Sequence, residues 1–141
     1  RPASGTMSLT GTTGLLLQNS SDQLFERTVL REVSFGIPKK SSLHQRIAEV
    51  LAQLGLESYA QTHPYELPAS ARRLLALATV MVREPKILLL DEPTEGLDEL
   101  GEAKLRAIIA AVLARGGAVI LSTHDGKFMD SVAHRVHHMN Q

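Results

Sequence analysis

Two adjacent acids, Asp91 and Glu92, end a short apolar run and are well suited to chemistry on phosphates. Residues 87–90 precede them, and such a run between turn residues is typical of a buried strand in a parallel sheet. Open α/β sheets bind ligands at the carboxyl ends of their strands. Two neighbouring carboxylates repel each other and favour a cation, so we predict a strand end that holds a metal-bound phosphate. The alternative for an isolated Asp-Glu pair is the start of a solvated turn.

Two more polar residues follow apolar runs. His124 comes soon after residues 118–122, and Gln18 comes directly after residues 15–17, which are predicted as a further buried strand. A strand, helix and strand in succession, joined by a right-handed crossover, place His124 near the edge that carries Asp91 and Glu92. Without that context, a lone histidine is more often structural, and a glutamine before Asn-Ser-Ser is an ordinary turn residue.

Three helices are predicted between these runs. The spacing of apolar residues indicates amphipathic helices over 43–54 and 100–114, the second with Leu100 on its apolar face. Ser41 or Ser42 suits the start of the first, and glycines follow both. The third, over residues 71–82, is apolar almost all round after its two arginines, which predicts burial between layers. Pro85 ends it because proline disfavours helical conformation in the preceding residue.

The string of residues 86–98, Lys-Ile-Leu-Leu-Leu-Asp-Glu-Pro-Thr-Glu-Gly-Leu-Asp, resembles the Walker B and D-loop region of the ATP-binding-cassette (ABC) ATPases. The resemblance implies that Asp91 supports Mg²⁺ and that Glu92 polarises the water that attacks ATP. It also implies that residues 96–98, ending in Asp98, cross to a partner subunit. A positioned base and compensated charge supply most of the rate of phosphoryl transfer, which suits these residue types.

The same resemblance extends to Gln18 and His124. Gln18 is similar to the Q-loop glutamine, which implies a ligand near Mg²⁺ and a hinge that reports the nucleotide state. His124 is similar to the switch histidine that contacts the γ-phosphate. Residues 18–25 and 28–36 resemble a narrower group, the energy-coupling-factor ATPases, which drive uptake of vitamins and transition-metal ions.

One family motif is degenerate in this chain. The signature loop, usually Leu-Ser-Gly-Gly-Gln, aligns with Leu67, Pro68, Ala69, Ser70 and Ala71. In the family this loop binds the γ-phosphate held by the opposite subunit, through a hydroxyl, glycine N–H groups and a helix dipole. Pro68 offers neither hydroxyl nor N–H, and Ser70 is expected to keep a capping role. We predict a weakened composite site, and therefore an asymmetric heterodimer in preference to a homodimer.

A second motif, Walker A, is missing from the 141 residues. A phosphate-cradling loop needs Gly-x-x-x-x-Gly-Lys followed by Ser or Thr. Gly126-Lys127 and Lys39-Lys40-Ser41 both lack the required glycine. Residues 1–11 resemble the segment that follows the Walker A helix, so the chain is expected to begin within a domain. We expect little or no ATP hydrolysis by these residues alone.

Composition limits the other classes. Apolar residues make up 43%, and 15 Lys plus Arg balance 15 Asp plus Glu, which gives no electrostatic reason to expect nucleic acid. No apolar run approaches the ~20 residues of a membrane span, and there is no cysteine. Membrane attachment is therefore expected only through partner subunits, and the resemblance implies a cytoplasmic protein at the inner face of the cell membrane. The three histidines at 134, 137 and 138 are predicted to be surface residues.

Together these features predict a partial ABC ATPase domain over 1–141 with an α/β, P-loop-like, mostly parallel sheet. Residues 19–75 are expected to form its helical subdomain, with 1–18 and 76–141 in the α/β core. The implied function is an Mg-ATP-hydrolysing subunit that pairs head to tail with a second ABC ATPase and drives a membrane transporter. Two alternatives remain: a soluble ABC ATPase of translation or DNA maintenance, and a noncatalytic, degenerate ABC module.

Overall fold

The structure, a computed structural model, describes residues 6, 8 and 10–139 and consists of a small parallel sheet with helices. The resemblance of residues 1–11 to the segment after a Walker A helix therefore falls largely outside the described residues. The strands are β1 (Thr13–Leu16), β2 (Ile87–Asp91) and β3 (Ala118–Ser122). The helices are α1 (Val29–Ser34), α2 (Leu43–Leu54), α3 (Ala69–Met81), α4 (Glu99–Ala114) and α5 (Gly126–Val132). Short 3-10 helices cover Ser20–Gln23, Glu57–Tyr59 and Pro64–Glu66.

The three strands form one sheet in the order β1-β2-β3, and both pairs are parallel. Asp91 at the end of β2 pairs with Ser122 at the end of β3. Leu16, at the end of β1, pairs with Leu90. All three strands therefore finish at one edge, where the following loops meet.

The core lies between the sheet and α3, and it extends to α1, α2 and α4. Its buried members include Leu16 and Leu88 from the sheet, Leu75 from α3, Val50 from α2 and Ile108 from α4. Helices α2, α3 and α4, the three that the sequence predicts, each contribute several buried apolar residues. Leu100 is an exception, because it lies on the exposed side of the first turn of α4.

Helix ends follow local chemistry with two departures from the predictions. Gly55 ends α2 in the left-handed conformation, at φ 66°. Ser42 occupies the start of α2 without a side-chain cap, while the Ser41 hydroxyl accepts a hydrogen bond from Leu43 N–H at 3.2 Å. Helix α3 begins at Ala69, two residues earlier than predicted, because Pro68 needs no N–H at the position that precedes a helix.

The strands are less buried than predicted. In β2 only Leu88 and Leu90 are buried, while the other three residues of the strand are partly exposed. In β1 Leu16 is buried and Leu15 is exposed, and the strand ends two residues before Gln18. The prediction of a fully buried strand was wrong because helices cover one face of this sheet and leave the other face accessible. Among the residues described, no helix is long and apolar enough to cross a membrane.

Candidate functional site

The edge where β2 and β3 end brings an acid and a hydroxyl together. Because Asp91 and Ser122 are register partners, the Ser122 hydroxyl donates to Asp91 Oδ1 at 2.5 Å. One residue further, Glu92 N–H donates to the Ser122 carbonyl at 3.0 Å. The pairing of the two strands therefore fixes the start of the turn that follows β2.

Glu92 and His124 lie together at this edge. Glu92 has φ 44°, in the left-handed region that non-glycine residues rarely adopt. Its Oε2 lies 2.9 Å from His124 Nδ1 and also accepts a longer hydrogen bond, 3.4 Å, from His124 N–H. The hydrogen bond and the charge of Glu92 raise the pKa of His124 above its ordinary value. The carboxylate therefore favours the protonated imidazole.

Gln18 lies beside this turn but not on the Asp91 carboxylate. Its Nε2 donates to Glu95 Oε2 at 2.7 Å, and Glu95 N–H in turn donates to the Glu92 carbonyl at 3.2 Å. The side chain of Gln18 is thus tied to the loop that follows Glu92. Its role as a metal ligand stays a prediction.

The sequence analysis missed Arg73, which lies at the centre of this region. Arg73 is only 4% exposed, and its guanidinium donates to main-chain carbonyls at the ends of two strands. One amino group, Nη1, donates to the carbonyls of Leu17 and Gln18 and to Ser20 Oγ. The other, Nη2, donates to the carbonyls of Asp91 and Glu92, at 3.2 and 3.1 Å.

Burial lowers the pKa of Arg73 from its ordinary value, while the charges of Glu95 and Asp91 oppose that change. The sequence carries one signal for this residue. Arg73 lies four and eight residues before Leu77 and Met81, both buried, and so belongs to the buried stripe of α3.

The first turns of α3 and α4 also meet. Ser70 Oγ donates to Asp98 Oδ1 at 3.0 Å, and Asp98 N–H donates back to Ser70 Oγ at 3.3 Å. Asp98 Oδ1 also accepts from Gly101 N–H at 2.7 Å, so Asp98 caps α4. The Gly101 hydrogen bond and then the Ser70 hydroxyl hold the pKa of Asp98 below its usual range.

Residues 3–95, well over half of the chain, match the family described as ABC transporter. The chain belongs to this family. The chain is 33% identical over 133 residues to the energy-coupling factor transporter ATP-binding protein EcfA of Methanocaldococcus jannaschii, which covers 91% of this chain and 47% of the relative. It is 37% identical over 128 residues to the cobalt import ATP-binding protein CbiO of Rhodobacter capsulatus, covering 87% of this chain and 45% of the relative.

A solved structure of cbiO1 from Clostridium perfringens, described as part of the ABC transporter complex cbiONQ, superimposes with a TM-score of 0.68. The identity is 31%, over 81% of this chain and 47% of that one. The fold is therefore that of ABC ATPases, as the sequence predicts. The chain spans about half the length of the curated relatives that it matches.

In the loop predicted to be the signature loop, Leu67 is buried, and Pro68 occupies the position before α3 without a capping side chain. Ser70 was expected to cap this helix. That expectation was wrong, because Ser70 is the second residue of α3 and its hydroxyl contacts Asp98 instead. Asp98 lies with this loop and has no hydrogen bond to Glu92 or His124 among residues 10–139.

No group of three or more His, Cys, Asp or Glu side chains in the described part of the chain is arranged to hold a metal ion. The histidines at 134, 137 and 138 are exposed, as predicted. The role of Asp91 as a support for Mg²⁺ stays a prediction.

Proposed function

We propose that this chain supplies the catalytic edge of an ATP-hydrolysing subunit that energises a membrane uptake transporter for a vitamin or a metal ion. The observation that carries the proposal is the Glu92–His124 pair, 2.9 Å apart, next to Asp91 at the carboxyl edge of a parallel sheet. Membership of the ABC transporter family and the likeness to uptake ATPases support the same conclusion. The site of action would be the inner face of the cell membrane.

In this proposal Glu92 accepts a proton from the attacking water, since a carboxylate at the strand end can act as a general base. His124 holds the carboxylate of Glu92 from one side and presents its exposed ring to the terminal phosphate. Ser122 fixes one oxygen of Asp91 by hydrogen bonding. These contacts orient both acids before any substrate arrives.

The donor set suits Mg²⁺ shared with a nucleotide. Magnesium in ATPases is commonly held by one or two carboxylates together with substrate phosphates and water, and Asp91 offers one carboxylate. When bound, ATP would supply the transferred phosphoryl group, and Mg²⁺ would neutralise the charge that develops on it. Because the 141 residues contain no Gly-x-x-x-x-Gly-Lys loop, the residues present would hold the γ-phosphate side of the nucleotide.

The signature loop supports a heterodimer. Pro68 lacks an N–H, and the Ser70 hydroxyl is bonded to Asp98 within the same chain. Both groups are thus poor donors to a phosphate held by an opposite subunit. The intact site would combine Glu92 and His124 with the signature loop of a different ABC ATPase. The same contacts are the one observation that favours a noncatalytic module instead.

An exposed aromatic pair marks the proposed surface for the transmembrane subunits. Phe25 and Phe35 are 62% and 53% exposed, and their rings meet edge to face at 4.8 Å. They border a cavity of about 270 Å³ next to Leu15 and the buried carboxylate of Glu32. Exposed aromatic patches commonly mark interaction sites, and this one follows directly on the Q-loop segment.

The decisive test is ATP turnover by the full-length subunit, assembled with its partner ATPase and membrane subunits. Glu92→Gln should lower kcat by about 10²–10⁴-fold, because a positioned base contributes on this order. Glu99→Gln, at the exposed start of α4, serves as the matched control and should keep normal turnover. Unchanged turnover in Glu92→Gln would exclude Glu92 as the base, and a complex without turnover would favour the noncatalytic module.

A further inference from the structure

Arg73 joins two loops that come from distant parts of the sequence. Its Nη1 faces the carbonyls of Leu17 and Gln18 after β1, and its Nη2 faces those of Asp91 and Glu92 after β2. A guanidinium is a rigid, planar fork, so the two ends cannot move independently while both amino groups stay bonded. The loop after β1 and the turn after β2 are therefore held in one relative position.

The Glu92 turn needs such support. A glutamate with φ 44° is in a strained backbone conformation, which persists only where the surroundings over-determine it. Three hydrogen bonds hold the main chain of Glu92: its N–H donates to the Ser122 carbonyl, and its carbonyl accepts from Arg73 Nη2 and from Glu95 N–H. Among residues 10–139, Arg73 is the only side chain that makes one of these hydrogen bonds, and it reaches the Glu92 carbonyl from α3.

The contacts of Arg73 do not involve the carboxylates of Asp91, Glu92 or Glu95. Among residues 10–139 no carboxylate lies within 4.0 Å of its guanidinium nitrogens, although the charges of Glu95 and Asp91 act on it. A buried arginine that served only to neutralise an acid would form a direct ion pair. Arg73 instead bonds main-chain oxygens, so the side chain of Glu92 remains available to His124.

We propose that Arg73 is a positioning residue for the Glu92 turn, which it holds in the strained conformation that directs the Glu92 carboxylate towards His124. Through the same guanidinium, the position of the Q-loop carbonyls sets the position of this turn. The effect on turnover rests on the proposed function, whereas the effect on the backbone does not.

The test compares hydrogen exchange of main-chain amides in this chain by NMR. In Arg73→Met the Glu92 amide, which is bonded to the Ser122 carbonyl, should exchange at least tenfold faster than in the unchanged chain. The comparison is made after correction for global stability with the Leu77 amide in the middle of α3. Arg73→Lys should give an intermediate rate, because a single ammonium group reaches only one of the two strand ends.

Arg72→Met is the matched control. Arg72 donates to the carbonyls of Tyr65 and Leu67, away from the Glu92 turn, so the Glu92 amide should keep its exchange rate. The proposal is overturned if Glu92 and Leu77 accelerate by the same factor in Arg73→Met, or if Arg72→Met has the same local effect. Arg73→Lys decides the question in the same way if Arg73→Met does not fold.

Turnover of the assembled complex gives a second, separate readout. Arg73→Lys should lower kcat with little change in KM for ATP, since in this proposal the residue acts only through the main chain of the base. An unchanged kcat would contradict the positioning of a catalytic Glu92. If the complex without any substitution did not hydrolyse ATP, only the proposed function would be contradicted. The exchange rates would still test the effect of Arg73 on the backbone, because they are measured without nucleotide.

Discussion

At the residue scale, the Glu92–His124 pair combines a shielded carboxylate with an accessible imidazole. The His124 side chain is 84% exposed and that of Glu92 only 20%. Because the imidazole is surrounded by water, the pair adds little to the stability of the fold. The pair instead affects the orientation and protonation of His124, since the Glu92 carboxylate both holds the ring and favours its charged form.

Replacing Glu92 with glutamine should lower the pKa of His124 towards its ordinary value, because the amide removes the negative charge and weakens the hydrogen bond. NMR titration of the imidazole protons measures this change directly. Glu95→Gln is the graded control and should give a smaller decrease, since Glu95 is a weaker cause of the raised pKa. Equal decreases in both variants would argue against a specific Glu92–His124 contact.

The sign of the pH dependence follows from the raised pKa. The contact stabilises the folded chain fully below the unfolded pKa of about 6.5, and its contribution is lost as the pH rises through the higher folded pKa. In Glu92→Gln this loss of stability, which begins at about pH 6.5 and continues as the pH rises through the folded pKa, should become smaller.

The sequence predicted functional residues only where they follow the end of a predicted strand. The closeness of Glu92 and His124 follows from two apolar runs joined by a helix, because parallel strands finish at one edge. Arg73 could not be placed in the same way, since its acceptors are main-chain oxygens of segments far away in sequence. The burial of the Arg73 guanidinium depends on how those segments pack around it, and the sequence does not show that packing.

At the element scale, caps and periodicity determine most of the helices. Gly55 after α2 and Gly116 after α4 both adopt positive φ, and each follows a predicted helix. The burial of the strands was not predictable in the same way, because a run of leucines reads as buried whether one or both faces of the sheet are covered. Here the tertiary packing buries alternate residues of β1 and β2, and it buries no residue of β3.

Gly14 tests the packing of β1 on α3. A Cβ at this position would lie 2.4 Å from Val80 Cγ1 and 3.0 Å from Pro85 Cγ. Gly14→Ala should therefore lower the free energy of unfolding by about 1–3 kcal/mol, as overpacking does. Urea unfolding followed by circular dichroism measures the change.

Gly126→Ala is the matched control for that substitution. A Cβ at Gly126, the first residue of α5, meets nothing within 4 Å, and alanine favours helix. This variant should be neutral or slightly more stable. If both alanine variants lost the same stability, the close contact between β1 and α3 would not be the cause.

At the scale of the whole molecule, the sheet has one face packed against helices and one apolar face open. Leu15, Leu89 and Ile120 are register partners on neighbouring strands, so they form one row across the sheet. Leu15 and Ile120 at its ends are 52% and 59% exposed. A continuous apolar row of this kind favours association with other apolar surfaces.

This row predicts that the 141-residue chain self-associates and that charge on the open face prevents it. Burying an isoleucine contributes about 1.5–3 kcal/mol, so Ile120→Lys should raise the dissociation constant of the self-associated form by about tenfold or more. Sedimentation velocity over a range of concentrations measures this change. Gln53→Lys adds the same charge at an exposed position of α2 and should leave association unchanged. If Gln53→Lys weakened association as strongly as Ile120→Lys, the effect would come from net charge, and the open face of the sheet would not be the contact surface.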